Sequence, residues 1–143
     1  MILWDVNLWV YAFRSDSPLH TLARERMQSA LAEREPFLFL PTVAASFLRL
    51  VTNPRIFKIP STVEEAWRFI TLLEEHPSAF FAGLDAMTFG IFKHLCLITA
   101  TTGNNVPNAF LAASAIRHDA ELLTADVNFA RFPGLRYQVI TNS

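Results

Sequence analysis

The sequence predicts one α/β domain over residues 1–143, with a central, mainly parallel sheet covered by helices on both faces. Three observations predict it. Short apolar runs alternate with segments of helical periodicity along the whole chain, the pattern of a parallel sheet whose strands are joined by helical crossovers. Two of the apolar runs, one near each end of the chain, lead into an aspartate, Asp5 and Asp126. A helical segment ahead of the second run is rich in small residues, Ala109, Ala112, Ala113, Ser114 and Ala115, which let a helix sit close against a sheet.

The elements follow in order. Met1 to Asp5 is a short apolar run ending in an acid, which suits a buried strand. Asn7 to Phe13 turns into a short helix. From Pro18 to Arg34, Leu19, Leu22, Ala23, Met27, Ala30 and Leu31 share one helical face, and Pro36 ends the segment. Phe37 to Leu40 is a second strand. Pro41 to Thr52 is a helix opened by proline in its first turn and stopped before Pro54. Ser61 starts the next helix, with Glu64 completing a capping box and Val63, Ala66, Trp67, Ile70 and Leu73 as its inner stripe. Pro77 closes that unit, and Ala79 to Leu84 is a strand. Asp85 caps a helix carrying Ile91, Phe92 and Leu95. Thr101 to Asn105 is a loop, and Pro107 opens the small-residue helix. Ala120 to Thr124 and Tyr137 to Thr141 are the last two strands.

Composition bounds the function. With 143 residues the chain is long enough for a core without disulfides, and 52% hydrophobic against 17% charged residues excludes disorder. A mean hydropathy of +0.27, with 13 Phe and 3 Trp, points to a dimer or an obligate partner; a dense aromatic core is the alternative. The net charge of −1 excludes a strongly basic nucleic-acid binder, so any such contact must use local basic residues or a bound cation. The lone Cys96 excludes an intramolecular disulfide and fits a reducing cytoplasm. The opening MILWDVNLWVYAF has no basic n-region, so no signal peptide is expected, and no apolar run reaches the ~18 residues of a membrane span.

In open parallel sheets, sites form beyond the carboxyl ends of the strands. If the strands before Asp5 and Asp126 are neighbours, two carboxylates converge in one crevice. A divalent cation relieves their repulsion, and oxygen ligands suit Mg²⁺ or Mn²⁺. The alternative is that each aspartate starts a turn or caps a helix.

Three segments carry a resemblance. MILWDVNLWVYAF resembles the opening of PIN domains, a strand ending in an acid with Asn or Ser two residues on. SFLRLVTNPRIF, Ser46 to Phe57, is similar to the second-helix signature of VapC-type PIN proteins. Gly103 to Arg136, GNNVPNAFLAASAIRHDAELLTADVNFARFPGLR, resembles the VapC pattern of an Ala-rich helix, a strand and then Thr-x-Asp-x-x-Phe. The resemblance implies a PIN-like three-layer α/β/α sandwich with three or four acids at the sheet's C-terminal edge. Those acids hold Mg²⁺ or Mn²⁺ for the hydrolysis of RNA phosphodiester bonds. It also implies a bacterial toxin that dimerises and is silenced by a VapB-type antitoxin.

The chain departs from that pattern. Asp5 and Asp126 match the first and last acids. The second acid, whose place falls near Ala44 or Ser46, is missing. The third is replaced by Asn108, and a further Asp common after the last strand is replaced by Asn128. On this reading Asp5 and Asp126 hold one metal ion, supported by the Asn108 carbonyl or a bridging water, and Asn7 and Thr124 hydrogen-bond the carboxylates. For Asn7 and Asn108, helix capping is the competing role. The catalytic set implied is Asp5, Asp126, Asn108 and Asn128. The expected function is a Mg²⁺-dependent endoribonuclease toxin, homodimeric, antitoxin-bound and cytoplasmic. The alternatives are a degenerate PIN module that keeps fold and partner binding without catalysis, and a metal-independent structural or RNA-binding domain.

Other chemistry is excluded or weak. The four His lack ligand spacing, and none of the four Gly belongs to a phosphate loop. Cys96 reads as a core residue. Arg49, Arg55 and Lys58, with Arg117, Arg131 and Arg136, form a candidate RNA track or are ordinary solvated charges.

Overall fold

A computed structural model of the chain describes residues 1–141. Five strands, β1 (Ile2–Trp4), β2 (Phe37–Phe39), β3 (Ala79–Phe81), β4 (Glu121–Thr124) and β5 (Tyr137–Val139), form one sheet in the order β3-β2-β1-β4-β5. Every pairing is parallel. Six helices accompany them: α1 (Val6–Phe13), α2 (His20–Ala32), α3 (Pro41–Val51), α4 (Val63–Glu74), α5 (Ala86–Thr99) and α6 (Val106–Arg117). Helix α1 packs on α2 and α3, α3 packs on α4, and α5 packs on α6. This is the expected PIN-like α/β/α sandwich.

The central strands are short and covered on both faces. β1 and β2 are buried along their whole length, and Leu122 and Thr124 of β4 are fully buried. An aromatic cluster ties four elements together. Trp9 of α1 lies 5.8 Å from Phe39 of β2, 5.7 Å from Phe47 of α3 and 6.0 Å from Phe69 of α4. Such offset and edge-on contacts fix the tilt of α1 over the sheet as well as burying apolar area.

Several expected details shift. Helix α2 begins at His20, because Pro18 and Leu19 lie in the preceding turn. The N-cap of α4 is Thr62 rather than Ser61: Thr62 Oγ1 accepts from the Glu65 amide at 3.1 Å and donates to the Glu65 carboxylate at 2.9 Å. Of the expected inner stripe of α4, Ala66, Ile70 and Leu73 are buried, but Val63 and Trp67 are exposed. β3 ends at Phe81, and β5 at Val139, earlier than the alternation suggests. The loop Thr101–Asn105 contains a short 3-10 turn over Gly103–Asn105, and a second one, Val127–Arg131, follows Asp126. Helix α6 begins at Val106, with Pro107 as its second residue.

Candidate metal centre

Topology brings the two carboxylates together. β1 and β4 are adjacent and parallel, with Trp4 opposite Leu123, so both strands finish at the same edge. Connections from this pair run to opposite sides of the sheet, β1 to β2 and β4 to β5. That is the switch point where ligands bind in open α/β sheets. The Asp5 amide donates to the Leu123 carbonyl at 2.9 Å, which extends the ladder by one residue and sets Asp5 beside Thr124.

Thr124 links the acids. Its hydroxyl, fully buried, donates to Asp5 Oδ2 at 2.7 Å and accepts from the Asp126 amide at 3.0 Å. Asp5 Oδ1 accepts from the Val6 amide at 2.7 Å, and Asp126 Oδ1 accepts from the Asn128 amide at 2.9 Å. Each aspartate therefore caps a helical turn, and the two lie close enough for the Asp126 charge to act on Asp5. Asn7, in the second position of α1, does not cap. Its amide bridges α1 to the end of β4, with Nδ2 on Thr124 Oγ1 at 3.5 Å and Oδ1 accepting from the Ala125 amide at 3.4 Å. Asn108 does not cap either, because α6 starts two residues earlier. Its Nδ2 donates to Asp126 Oδ2 at 3.4 Å, which leaves its carbonyl oxygen uncommitted. Asn128 offers its backbone to Asp126 while the residue itself is exposed.

The electrostatics are those of an acid held out of water. Asp5 is only 4% exposed. Burial pushes its carboxyl above the ordinary aspartate range, the hydrogen bonds from Thr124 and Val6 pull the other way, and the Asp126 charge pushes it up again. Among the described residues neither Asp5 nor Asp126 has a basic partner; the ion pairs there are Arg14–Asp16, Arg117–Asp85 and Arg136–Asp119. No group of three or more His, Cys, Asp or Glu stands together among those residues.

A small cleft of about 110 Å³ opens beside Asp5. Its walls include Thr42 and Ser46 of α3 and Asn108 of α6. Of the two positions left open by sequence, Ser46 lines the cleft, while Ala44 lies on the side toward Phe39 and Trp67. Thr42 went unnoticed in the sequence. Helical spacing holds the signal, since Val43, Ala44, Phe47 and Val51 are the buried face of α3, and Thr42 and Ser46 form a separate i, i+4 pair. None of the expected basic residues lines the cleft. Arg117 and Arg136 already pair with Asp85 and Asp119. Cys96 is half-buried against the core, and Asp85 caps α5 through the Thr88 amide at 2.7 Å.

The donor set fits one hard cation. Two carboxylates without basic partners, one of them buried at an energetic cost, and one free amide carbonyl are the oxygen ligands that Mg²⁺ or Mn²⁺ accepts alongside water. They do not supply the ligands of a second ion.

Comparison with known proteins agrees with this architecture. The PIN domain model matches residues 2–135. The chain is 36% identical over 137 residues to ribonuclease VapC31 of Mycobacterium tuberculosis, and 35% identical over 137 residues to ribonuclease VapC25 of the same species. Each alignment covers 96% of both chains. Among solved structures it is similar to VapBC2 from Rickettsia felis bound to a DNA fragment from their promoter. The TM-score there is 0.72 at 18% identity, covering 97% of this chain and 98% of the other.

Proposed function

We propose that this chain, which belongs to the PIN domain family, is the ribonuclease toxin of a toxin–antitoxin pair and cuts RNA with one bound Mg²⁺ or Mn²⁺. The observation that carries this reading is the Asp5–Thr124–Asp126 linkage at the switch point of the sheet. Asp5 and Asp126 would hold the ion, with the Asn108 carbonyl as a further oxygen. A divalent ion in such a site lowers the pKa of a bound water and polarises the scissile phosphate. Thr124 holds both acids in register from below, and Asn7 pins the loop after β4 to α1. Asn128 contributes only its backbone amide to this arrangement, so its side chain is the weakest member of the expected catalytic set.

Partner and assembly follow from the same family. A VapB-type antitoxin is the proposed inhibitor, and a homodimer in the cytoplasm the proposed form. No helix among the described residues is long and apolar enough to cross a membrane. A second reading, a PIN module without chemistry, draws on the absence of a third acid.

The test is RNA cleavage by purified protein with Mg²⁺ or Mn²⁺, in wild type and in Asp5→Asn and Asp126→Asn. Cleavage should need the ion and fall at least a hundredfold in either variant, the order expected when a metal ligand or its hydrogen-bonded support is lost. Equal cleavage by all three proteins assigns the activity to a contaminant. A wild type that binds Mn²⁺ in calorimetry without cutting favours the module without chemistry.

A further inference from the structure

The walls of the Asp5 cleft differ in chemistry. On one side stands the buried carboxylate of Asp5. Facing it are two hydroxyls and an amide, Thr42, Ser46 and Asn108, where the family pattern places acids near two of the three positions. Some hydroxyls at helix positions bond back within the helix and others, Ser46, Ser29 and Thr71 among them, do not. Thr52, Thr99 and Ser114 each fold back on the carbonyl four residues earlier, at 2.7, 2.7 and 3.0 Å. Ser46 makes no such bond, although the Thr42 carbonyl stands four residues behind it, and its half-buried side chain lines the cleft instead. Thr42 sits one turn earlier on the same side of α3, and its hydroxyl has no protein partner among the described residues.

Uncommitted hydroxyls and an amide beside a metal-holding carboxylate suit an anion that must approach that metal. An acid at these positions strengthens the hold on cations and repels phosphate; a hydroxyl does the reverse, donating to a phosphate oxygen at no charge cost. We propose that Thr42 and Ser46, with Asn108, form a neutral wall that receives the phosphate oxygens of the RNA backbone opposite Asp5. This rests on the ribonuclease reading above. It assigns α3 a positioning role through hydrogen bonds from its own side chains rather than through metal ligation.

The test measures binding without the metal. Wild type, the double variant Thr42→Val/Ser46→Ala and Ser46→Asp are titrated against a fluorescein-labelled single-stranded RNA in EDTA, where metal-dependent cleavage is silent. Mn²⁺ binding is measured separately by calorimetry, and the melting temperature controls for folding. The double variant should bind RNA about tenfold more weakly, the order of hydrogen bonds to a charged acceptor, with Mn²⁺ affinity and melting temperature unchanged. Ser46→Asp should move the two readouts oppositely, with tighter Mn²⁺ and weaker RNA. RNA binding unaltered in both variants, or wild type that binds no RNA in EDTA yet cleaves it with Mg²⁺, overturns the wall and leaves the ribonuclease reading standing. No cleavage by wild type in Mg²⁺ removes that reading instead.

Discussion

Asp5 is stabilised and destabilised by the same fold. Thr124 and Val6 each donate to it at 2.7 Å, yet burial and the nearby Asp126 charge hold its carboxyl above the ordinary range. A raised carboxyl means that the folded state binds its proton more tightly than the unfolded chain does. Its favourable contribution is therefore fully present below the ordinary aspartate range and is lost as pH rises through the raised value. At neutral pH without metal, keeping the Asp5 carboxyl buried therefore costs stability. Asp5→Asn in EDTA should melt a few degrees higher than wild type at pH 7, and the gap should close as pH falls, which a series of thermal melts reads directly. A lower melting temperature for the variant at pH 7 would mean that its hydrogen bonds outweigh desolvation. Asn108 makes the complementary point. Its amide already reaches Asp126 Oδ2, so Asn108→Asp adds a third carboxylate to the same place. Mn²⁺ affinity should rise about tenfold or more, and an unchanged calorimetric titration would show that position 108 does not touch the ion.

At the scale of elements, α1 is the piece on which the site depends. It begins at Asp5, carries Asn7 across to β4, and is anchored from behind by Trp9. The anchor is an aromatic junction shared with β2, α3 and α4, so one residue fixes how α1 meets both the sheet and the helix that bears Ser46. Trp9→Ala leaves a cavity among Phe39, Phe47 and Phe69 and should cost about 3–5 kcal/mol of stability. Urea unfolding measures this, and a loss below about 1 kcal/mol would mean that the junction collapses onto the hole. α4 shows a helical stripe in sequence, yet Trp67 and Val63 lie outside the buried face while Ala66, Ile70 and Leu73 lie within it. The N-cap of α4 falls one residue later than the sequence suggests: the Ser61 hydroxyl accepts from Arg14 Nη1 at 2.8 Å, and Thr62 takes the cap.

For the molecule as a whole, the sheet has two edges, β3 and β5, and much apolar surface stays in solvent. Phe81, Leu84, Met87 and Leu97 are 61%, 62%, 63% and 72% exposed. Single exposed apolar residues are ordinary, but this many on β3, α5 and the loop between them favours burial against a partner. Light scattering after gel filtration should give twice the mass of one chain, and Leu97→Glu with Met87→Glu should reduce it to the monomer if this is the contact. A wild-type monomer would show that this surface is not a contact between two copies of the chain.

The sequence by itself determined the parallel α/β/α class and the aspartates that follow the first and fourth strands, because periodicity, prolines and spacing are local properties of the chain; the departures from a full set of acids came from the family resemblance. Only the tertiary structure decided which side chains meet. The β1–β4 pairing puts Thr124 between two acids 121 residues apart in the chain; rotation of α3 turns Ser46 and Thr42, not Ala44, to the cleft; the start of α6 at Val106 frees Asn108 from capping. Those outcomes depend on strand order and helix rotation. Both are set by how whole faces pack, which no single stretch of sequence contains.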